Sequence, residues 1–568
     1  MFQSVSVNKA ELLYALVLCV CVVIALFWPL LGDRAFSAVE MLGAKLANRK
    51  KLAIAAAGIA PVLLRLSLLR WFPVPIPGVH DEFSYLLAAD TFAHGRLANP
   101  PHPMWIFFET FHVNMQPTYM SKYAPGQGAV LALGQLLGHP WIGVLLSVGV
   151  MCAAIVWALQ GWFPARWAFL GGVLAALQFG VFNYWTDSYW GGAFAAIGGA
   201  LVVGALPRIF RHQRPRDSLV LGIGAAILAI SRPWEGALFC VAAIIAIAIW
   251  MIGKRSPTWR TTIPRVVAPA TLVLIATGAF LAYDNWKVTG DPLLFPYRLN
   301  DRTYMTAPHL AWQKLDAPRE YRNAEFDSFY NDWEPAIWKD NHLDASWRGI
   351  KNGVLSKLEQ LREFYLPDEL SAVVLFTLPW LWRDRKVRLL SVLVAACLLA
   401  VIAVVWFEPH YAAPMTAAVF GIVVQAMRYL RRWRWRGRAV GIGLTRAVVI
   451  FAFALVPVRA WMSRHRPPDA NDEHMGYRAR FAAELNQAPG EQLVIVRYSS
   501  DHDPGEEWVY NRADIDYAKI VWAREIRDED IRPLLDYFRN RTVWLAEPDA
   551  DPPRLSAYSA PAGRTGTR

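Results

Sequence analysis

Apolar residues run in blocks of about twenty along the first four fifths of the chain, separated by short polar punctuation. Crossing ~30 Å of hydrocarbon takes about 20 helical residues, and a helix satisfies its own backbone there, so each block predicts a membrane-spanning helix. Twelve are predicted, at residues 11 to 31, 52 to 72, 140 to 160, 167 to 183, 190 to 207, 218 to 230, 236 to 252, 264 to 283, 369 to 382, 388 to 407, 410 to 428 and 439 to 461. Pro125 to Leu137 is apolar but too short to span, and predicts an interfacial or re-entrant helix. Beyond about Ser463 the pattern changes. Gln492 to Tyr498 and Thr542 to Ala546 read as strands, while Ile515 to Ile526 and Glu529 to Arg539 read as helices. The expected fold is an all-α polytopic membrane bundle of about 12 transmembrane helices over residues 1–461, followed by a small C-terminal α/β domain over 462–568 with a disordered, Pro-, Gly- and Ser-rich end.

The polar connectors orient the bundle. Residues 208 to 217 carry four Arg and one Asp, 383 to 388 four basic residues against one acid, 428 to 438 six Arg, and 254 to 265 and 32 to 51 are also basic. Positive connectors stay in the cytoplasm, and the assignments alternate correctly if Pro125 to Leu137 does not cross. The loops 73–124 and 284–368 and the tail then lie outside, and all three hold more acids than bases. The net charge of +12 is thus a signature of membrane orientation and gives no reason to expect nucleic acid.

Composition narrows the class. With 55% hydrophobic and only 18% charged residues, the chain is too apolar for a soluble enzyme. The five cysteines fall in apolar segments, so neither a disulfide framework nor a thiolate metal site is indicated. The run Leu12 to Leu31 lacks a small-residue cleavage signature and is expected to stay as a helix. No internal inverted repeat is apparent, which weighs against a transporter. The expected location is the cytoplasmic (inner) membrane, with the catalytic loops and C-terminal domain extracytoplasmic. An enzyme on that side has no nucleotide pool and must draw an activated group from a lipid-linked carrier or act by hydrolysis.

Candidate chemistry collects on the outer side. Asp81 and Glu82, in His80-Asp81-Glu82-Phe83-Ser84-Tyr85, follow a hydrophobic helix by about eight residues. They suit either a general base near the headgroups or an acid pair on a helix dipole. Arg65, near the outer end of its span, either binds phosphate or snorkels. Arg232, before Pro233, either binds phosphate or pairs with Glu235. The turn Asn183 to Trp190, with Asp187, Tyr189 and Trp190, suits sugar stacking or the aromatic belt. Glu408-Pro409-His410-Tyr411 is another tight outer turn in which His410 either donates to phosphate or is a plain loop histidine. The loop from Tyr283 to Pro367 either frames an acceptor cleft or forms a lid. Asp501-His502-Asp503 and Asp514-Ile515-Asp516 mimic a nucleotide-sugar signature but read as turn and helix-start residues. His80, His94, His102 and His112 share one loop, yet their spacing matches no compact ligand motif, so no metal is expected.

The sequence Asp81-Glu82-x-x-Tyr85, then Gly95, then Tyr123-Ala124-Pro125-Gly126, resembles the GT-C membrane glycosyltransferases, in particular the protein mannosyltransferase and aminoarabinose transferase branch. The resemblance implies an inverting transfer of sugar from a polyprenyl-phosphate carrier to an envelope glycan, lipid or protein acceptor. It makes Asp81 the catalytic base with Glu82 in support, and it implies no metal. Donor phosphate contacts fall to Arg65, Arg232 and His410, and sugar or acceptor contacts to His80, Tyr85, Tyr123, Asp187, Tyr189 and Trp190. The helix at 11 to 31 has no counterpart in the family pattern. Two other readings stay open: a polymerase or ligase of lipid-linked glycans, and a non-enzymatic transporter or scaffold.

Overall fold

The computed structural model describes residues 9–253, 257–344, 346–465, 470–527 and 529–559; the C-terminal end expected to be disordered lies outside them. A helix lies at each of the twelve predicted positions. Among the described residues six helices, Pro140–Trp162, Ala193–His212, Pro233–Ile252, Trp259–Thr289, Pro409–Arg432 and Val440–His465, are long and apolar enough to cross a membrane. Their burial sorts them into layers. In Pro409–Arg432 and Ala193–His212, 83% and 78% of the apolar window is buried, against 6% in Trp259–Thr289. The first two form the centre, and the last presents Leu272 and Ile275 outward, as a lipid-facing rim helix does.

The segment expected not to span is a 12-residue helix, Pro125–Leu136, about 18 Å long at the usual helical rise. It packs against His80–Ala93 and Pro140–Trp162. The approach to Pro140–Trp162 is backbone to backbone: a Cβ on Gly134 would lie 2.3 Å from Gly143 N, and one on Gly143 2.1 Å from Val130 O. Small residues permit that crossing, and no side chain fits between.

One connector differs from expectation. Residues 32 to 51, read as a polar link, contain the amphipathic helix Asp33–Asn48. Its acids meet the basic connectors: Arg446 reaches Asp33 at 2.8 Å and Glu40 at 3.0 Å, and Arg431 reaches Glu40 at 2.7 Å. Arg211 donates to Gly161 O, Lys386 to Trp162 O and Gln160 to Lys50 O. These contacts gather the basic connectors at one end of the bundle.

The C-terminal unit is a four-stranded sheet in the order Ile520–Arg524, Gln492–Val496, Thr542–Glu547, Arg554–Ala557, the first three parallel and the last antiparallel. Ile515 to Ile526, expected as helix, is instead a strand at Ile520–Arg524. It is almost wholly buried, and a strand covered on both faces loses the alternation that marks a half-exposed one. Asp503 caps a short 3₁₀ turn, accepting from Gly505 N at 2.8 Å, as its turn-like setting suggested. The unit shares its core with the first long loop. Leu87, Phe107, Phe108 and Val113 pack with Leu493, Ile495 and Val521, and Phe83 stacks on Tyr510 with ring centroids 4.3 Å apart. A fully buried Arg524 joins Glu507 of the same unit to Glu325 of the second long loop, the latter at 3.0 Å.

Candidate active site

The chain leaves an extended Val79 and enters the helix His80–Ala93. Its first turn has unpaired N–H groups, and Glu82, at the third position, reaches back to accept from Gly78 N at 2.7 Å and Val79 N at 3.3 Å. The other carboxylate oxygen accepts from Tyr189 N at 2.7 Å. Burial raises the Glu82 pKa to about 7, against the pull of these three amides. Glu82 therefore clamps the start of the helix to the Asn183 to Trp190 turn.

Asp81 makes different contacts. Oδ1 accepts from His112 Nδ1 at 2.6 Å and from the Tyr123 hydroxyl, while Oδ2 has no partner among the described residues. Burial acts to raise the Asp81 pKa, but His112, Tyr123 and Lys122 outweigh it and hold the carboxyl well below its usual value, so it is ionised at neutral pH. His112 is pushed down to about 4 by burial and by the Lys122 charge, which keeps it a neutral imidazole donor. Lys122 is 8% exposed, and its ammonium has no carboxylate within ion-pair distance among the described residues. Burial lowers its pKa, with Asp301, Asp81 and Glu334 acting the other way.

A second cation stands near. Tyr85, Glu408, His410 and Tyr411 all lie within electrostatic reach of both Asp81 and Arg232. The Arg232 guanidinium sits 4.1 Å from the centre of the Tyr411 ring and, among the described residues, has no carboxylate in direct ion-pair contact, so the pairing with Glu235 weighed from the sequence is not a direct one. Tyr85 stacks on Tyr123 at 4.5 Å. His410 shares Nδ1 with the Tyr184 hydroxyl at 3.1 Å, leaves a buried Nε2 without a partner, and meets Trp190 edge-on at 4.9 Å. From Pro233, next to Arg232, an apolar cavity of about 470 Å³ runs between helices Pro215–Ala229, Pro233–Ile252 and Ala268–Thr289, lined by residues such as Leu221, Ala229, Ile244, Leu274 and Leu281.

Some expected site residues have other work. Arg65 is buried against Asp187 at 2.9 Å, donates to Phe72 O and Pro73 O at 2.7 and 3.1 Å, and lies over Trp141. A buried cation without such partners would be costly, and Arg65 and Asp187 form an internal tie. His80 is buried, stacks on Phe111 at 4.6 Å and shares Nε2 with Pro504 O at 2.8 Å, which joins it to the C-terminal unit. The Tyr189 hydroxyl donates to Pro75 O at 2.9 Å. Around Asp81 the fold thus gathers Tyr85, Tyr123, Arg232 and His410 of the expected set, with Trp190 behind His410. Sequence reasoning missed His112, Lys122, Glu408 and Tyr411 as members. Each had a weak signal: Lys122 precedes Tyr123, Glu408 and Tyr411 flank His410, and His112 lay in a loop weighed only for metal. No group of three or more His, Cys, Asp or Glu among the described residues is arranged to hold a metal ion.

No protein-family model and no curated protein matches the chain. Among solved structures it is similar to ArnT from Cupriavidus metallidurans bound to undecaprenyl phosphate, at 13% identity and a TM-score of 0.48, over 86% of this chain and 92% of that one. It is also similar to the Archaeoglobus fulgidus oligosaccharyltransferase tethered with an acceptor peptide, at 12% identity and a TM-score of 0.45, over 81% of this chain and 63% of that one.

Proposed function

We propose that the chain is a GT-C-type membrane glycosyltransferase that moves a sugar from a polyprenyl-phosphate carrier to an acceptor at the outer face of the cytoplasmic membrane. The observation that carries this reading is one ionised carboxylate, Asp81, with an oxygen that has no partner among the described residues, near two cations, Lys122 and Arg232, that make no direct ion pair among those residues. The apolar cavity that begins at Pro233 fits the prenyl tail, which leaves the donor phosphate near Arg232. The acceptor hydroxyl gives its proton to Asp81 Oδ2 as its oxygen attacks the anomeric carbon. The bond from that carbon to the phosphate oxygen breaks from the opposite side, with inversion. Polyprenyl phosphate leaves, its charge held by Arg232 and Lys122, with His410 Nε2 available as a further contact. Glu82 acts through the backbone, as a support.

Undecaprenyl phosphate is a suitable probe, with binding to the whole protein in nanodiscs followed by native mass spectrometry. Arg232→Ala and Lys122→Ala should each weaken it by about 10-fold or more, the worth of a charge-assisted hydrogen bond. Wild-type affinity in both variants, together with no transfer of sugar from any polyprenyl-phosphate donor, would sink the proposal.

Glu408 gives the site a pH dependence of known sign. Burial raises its pKa to about 7, the Asp81 charge adding to the effect and Arg232 opposing it. Below about 7 it is neutral, and above that it is an anion close to the bound phosphate. Probe affinity should therefore fall as pH rises through 7. In Glu408→Gln the fall should vanish, leaving the rise that the probe's own second ionisation, near 6, produces beside the two cations. Superimposable pH curves for the two proteins would rule out Glu408 as the source.

A further inference from the structure

His112 is the one residue of the Asp81 cluster held in a left-handed backbone conformation, at φ +60°. Residues with a Cβ seldom adopt it, and such strain persists where the surroundings over-determine it. Here they do so from both ends. The His112 carbonyl accepts from Ser84 Oγ at 2.7 Å and from Lys122 N at 3.1 Å, and its Nδ1 meets Asp81 Oδ1 at 2.6 Å. Asp81 and Ser84 are three residues apart on one helix, hence on one face, so a single helical turn grips the backbone and the ring of the same residue. The ring is wedged edge-on against His80, Tyr123 and Phe329, with centroids 5.5, 5.9 and 6.2 Å away.

The consequence falls on Asp81. His112 and Tyr123 both donate to Oδ1, so rotation of the carboxylate is blocked and Oδ2 alone keeps free lone pairs. We propose that His112 is a positioning residue of the transfer reaction: its Nδ1–H fixes Asp81 so that Oδ2 faces the acceptor, and the backbone clamp on His112 fixes the imidazole in turn. This rests on Asp81 being the base. The charged and titratable groups facing the pair are Lys122, Tyr123 and His80 on the imidazole, and Lys122 and Tyr123 on the carboxylate, with Arg232, Glu408, His410 and Tyr411 further out. A neutral ring suits the task, since as a donor it orients the carboxylate and helps to hold it ionised, ready to take a proton at Oδ2.

Asparagine is the discriminating substitution. Its amide nitrogen falls close to where Nδ1 lies, and it tolerates left-handed backbone better than other residues with a side chain. His112→Ala and His112→Asn are compared by two readouts on the full-length protein. In the first, transfer from a polyprenyl-phosphate-linked sugar, kcat should fall about 100-fold in the alanine variant, the scale of a misplaced catalytic group, with donor KM within about twofold; the asparagine variant should recover most of the loss. The second needs no substrate: carbodiimide labelling of Asp81 against pH, quantified by peptide mass spectrometry. Its midpoint should rise in the alanine variant and return toward wild type in the asparagine one. If the alanine variant fails to fold, Ser84→Ala, which removes one of the two donors to the His112 carbonyl together with the Ser121 contact, should move the labelling midpoint the same way. A labelling curve indifferent to all three substitutions, or an asparagine variant no better than the alanine one, overturns the proposal. If labelling depends on His112 but Asp81→Asn still transfers sugar, the contact stands and the base assignment falls.

Discussion

Asp81→Asn should cut sugar transfer by on the order of 10²- to 10⁴-fold, the usual worth of a positioned general base, while the protein still folds and still holds undecaprenyl phosphate. The asparagine carbonyl can take the place of Oδ1 and keep the donations from His112 and Tyr123, so the local packing survives. What changes is the second position, where an amide nitrogen with no lone pair for a proton replaces a carboxylate oxygen. Removing an anion beside a phosphate should also leave donor binding unchanged or somewhat tighter. The expected signature is thus a collapse of kcat with KM flat or lower, the pattern of an interaction made in the transition state. Steady-state transfer with a polyprenyl-phosphate-linked sugar checks it, and near-normal turnover would remove the base role from Asp81.

The largest effect on stability is expected at Arg524. Its side chain is fully buried and joins Glu507, equally buried, to Glu325. Arg524→Met leaves two acids facing each other with no counter-charge, and losing one member of a buried ionic group typically costs about 3–5 kcal/mol. Combining it with Glu507→Gln should restore part of that loss, since the uncompensated charge is then removed as well. Limited proteolysis of the outer face, with thermal denaturation in nanodiscs, reads both. Equal protease resistance in wild type and Arg524→Met would mean that the network contributes little.

Much of the architecture is written in hydropathy because the bilayer enforces a length and a composition on anything that spans it. The twelve helical positions and the short helix at Pro125 follow from that alone. Helix Asp33–Asn48 escaped because its amphipathic face is paired across space, with Arg431 and Arg446 about four hundred residues away. Strand Ile520–Arg524 escaped because burial on both faces erased its period. In the site, Asp81 was legible from its setting and the pattern around it. The division of labour between Asp81 and Glu82 came only with the family resemblance, since the contacts that separate them depend on which neighbours supply donors: backbone amides for Glu82, His112 and Tyr123 for Asp81. Arg65 stayed open for a related reason. A cation in an apolar helix needs a counter-charge, and sequence alone cannot tell whether Asp187 or a ligand provides it.

The helix that bears Asp81 is held on one side by residues made late in synthesis: Pro504 O on His80, Tyr510 on Phe83, and the Ala513 amide on Asp90 at 2.9 Å. A ribosome that has finished every membrane helix has therefore not yet supplied these braces. If the proposed activity holds, it waits until the tail emerges and docks, and stops placed between the last membrane helix and residue 500 should yield inserted but inert protein.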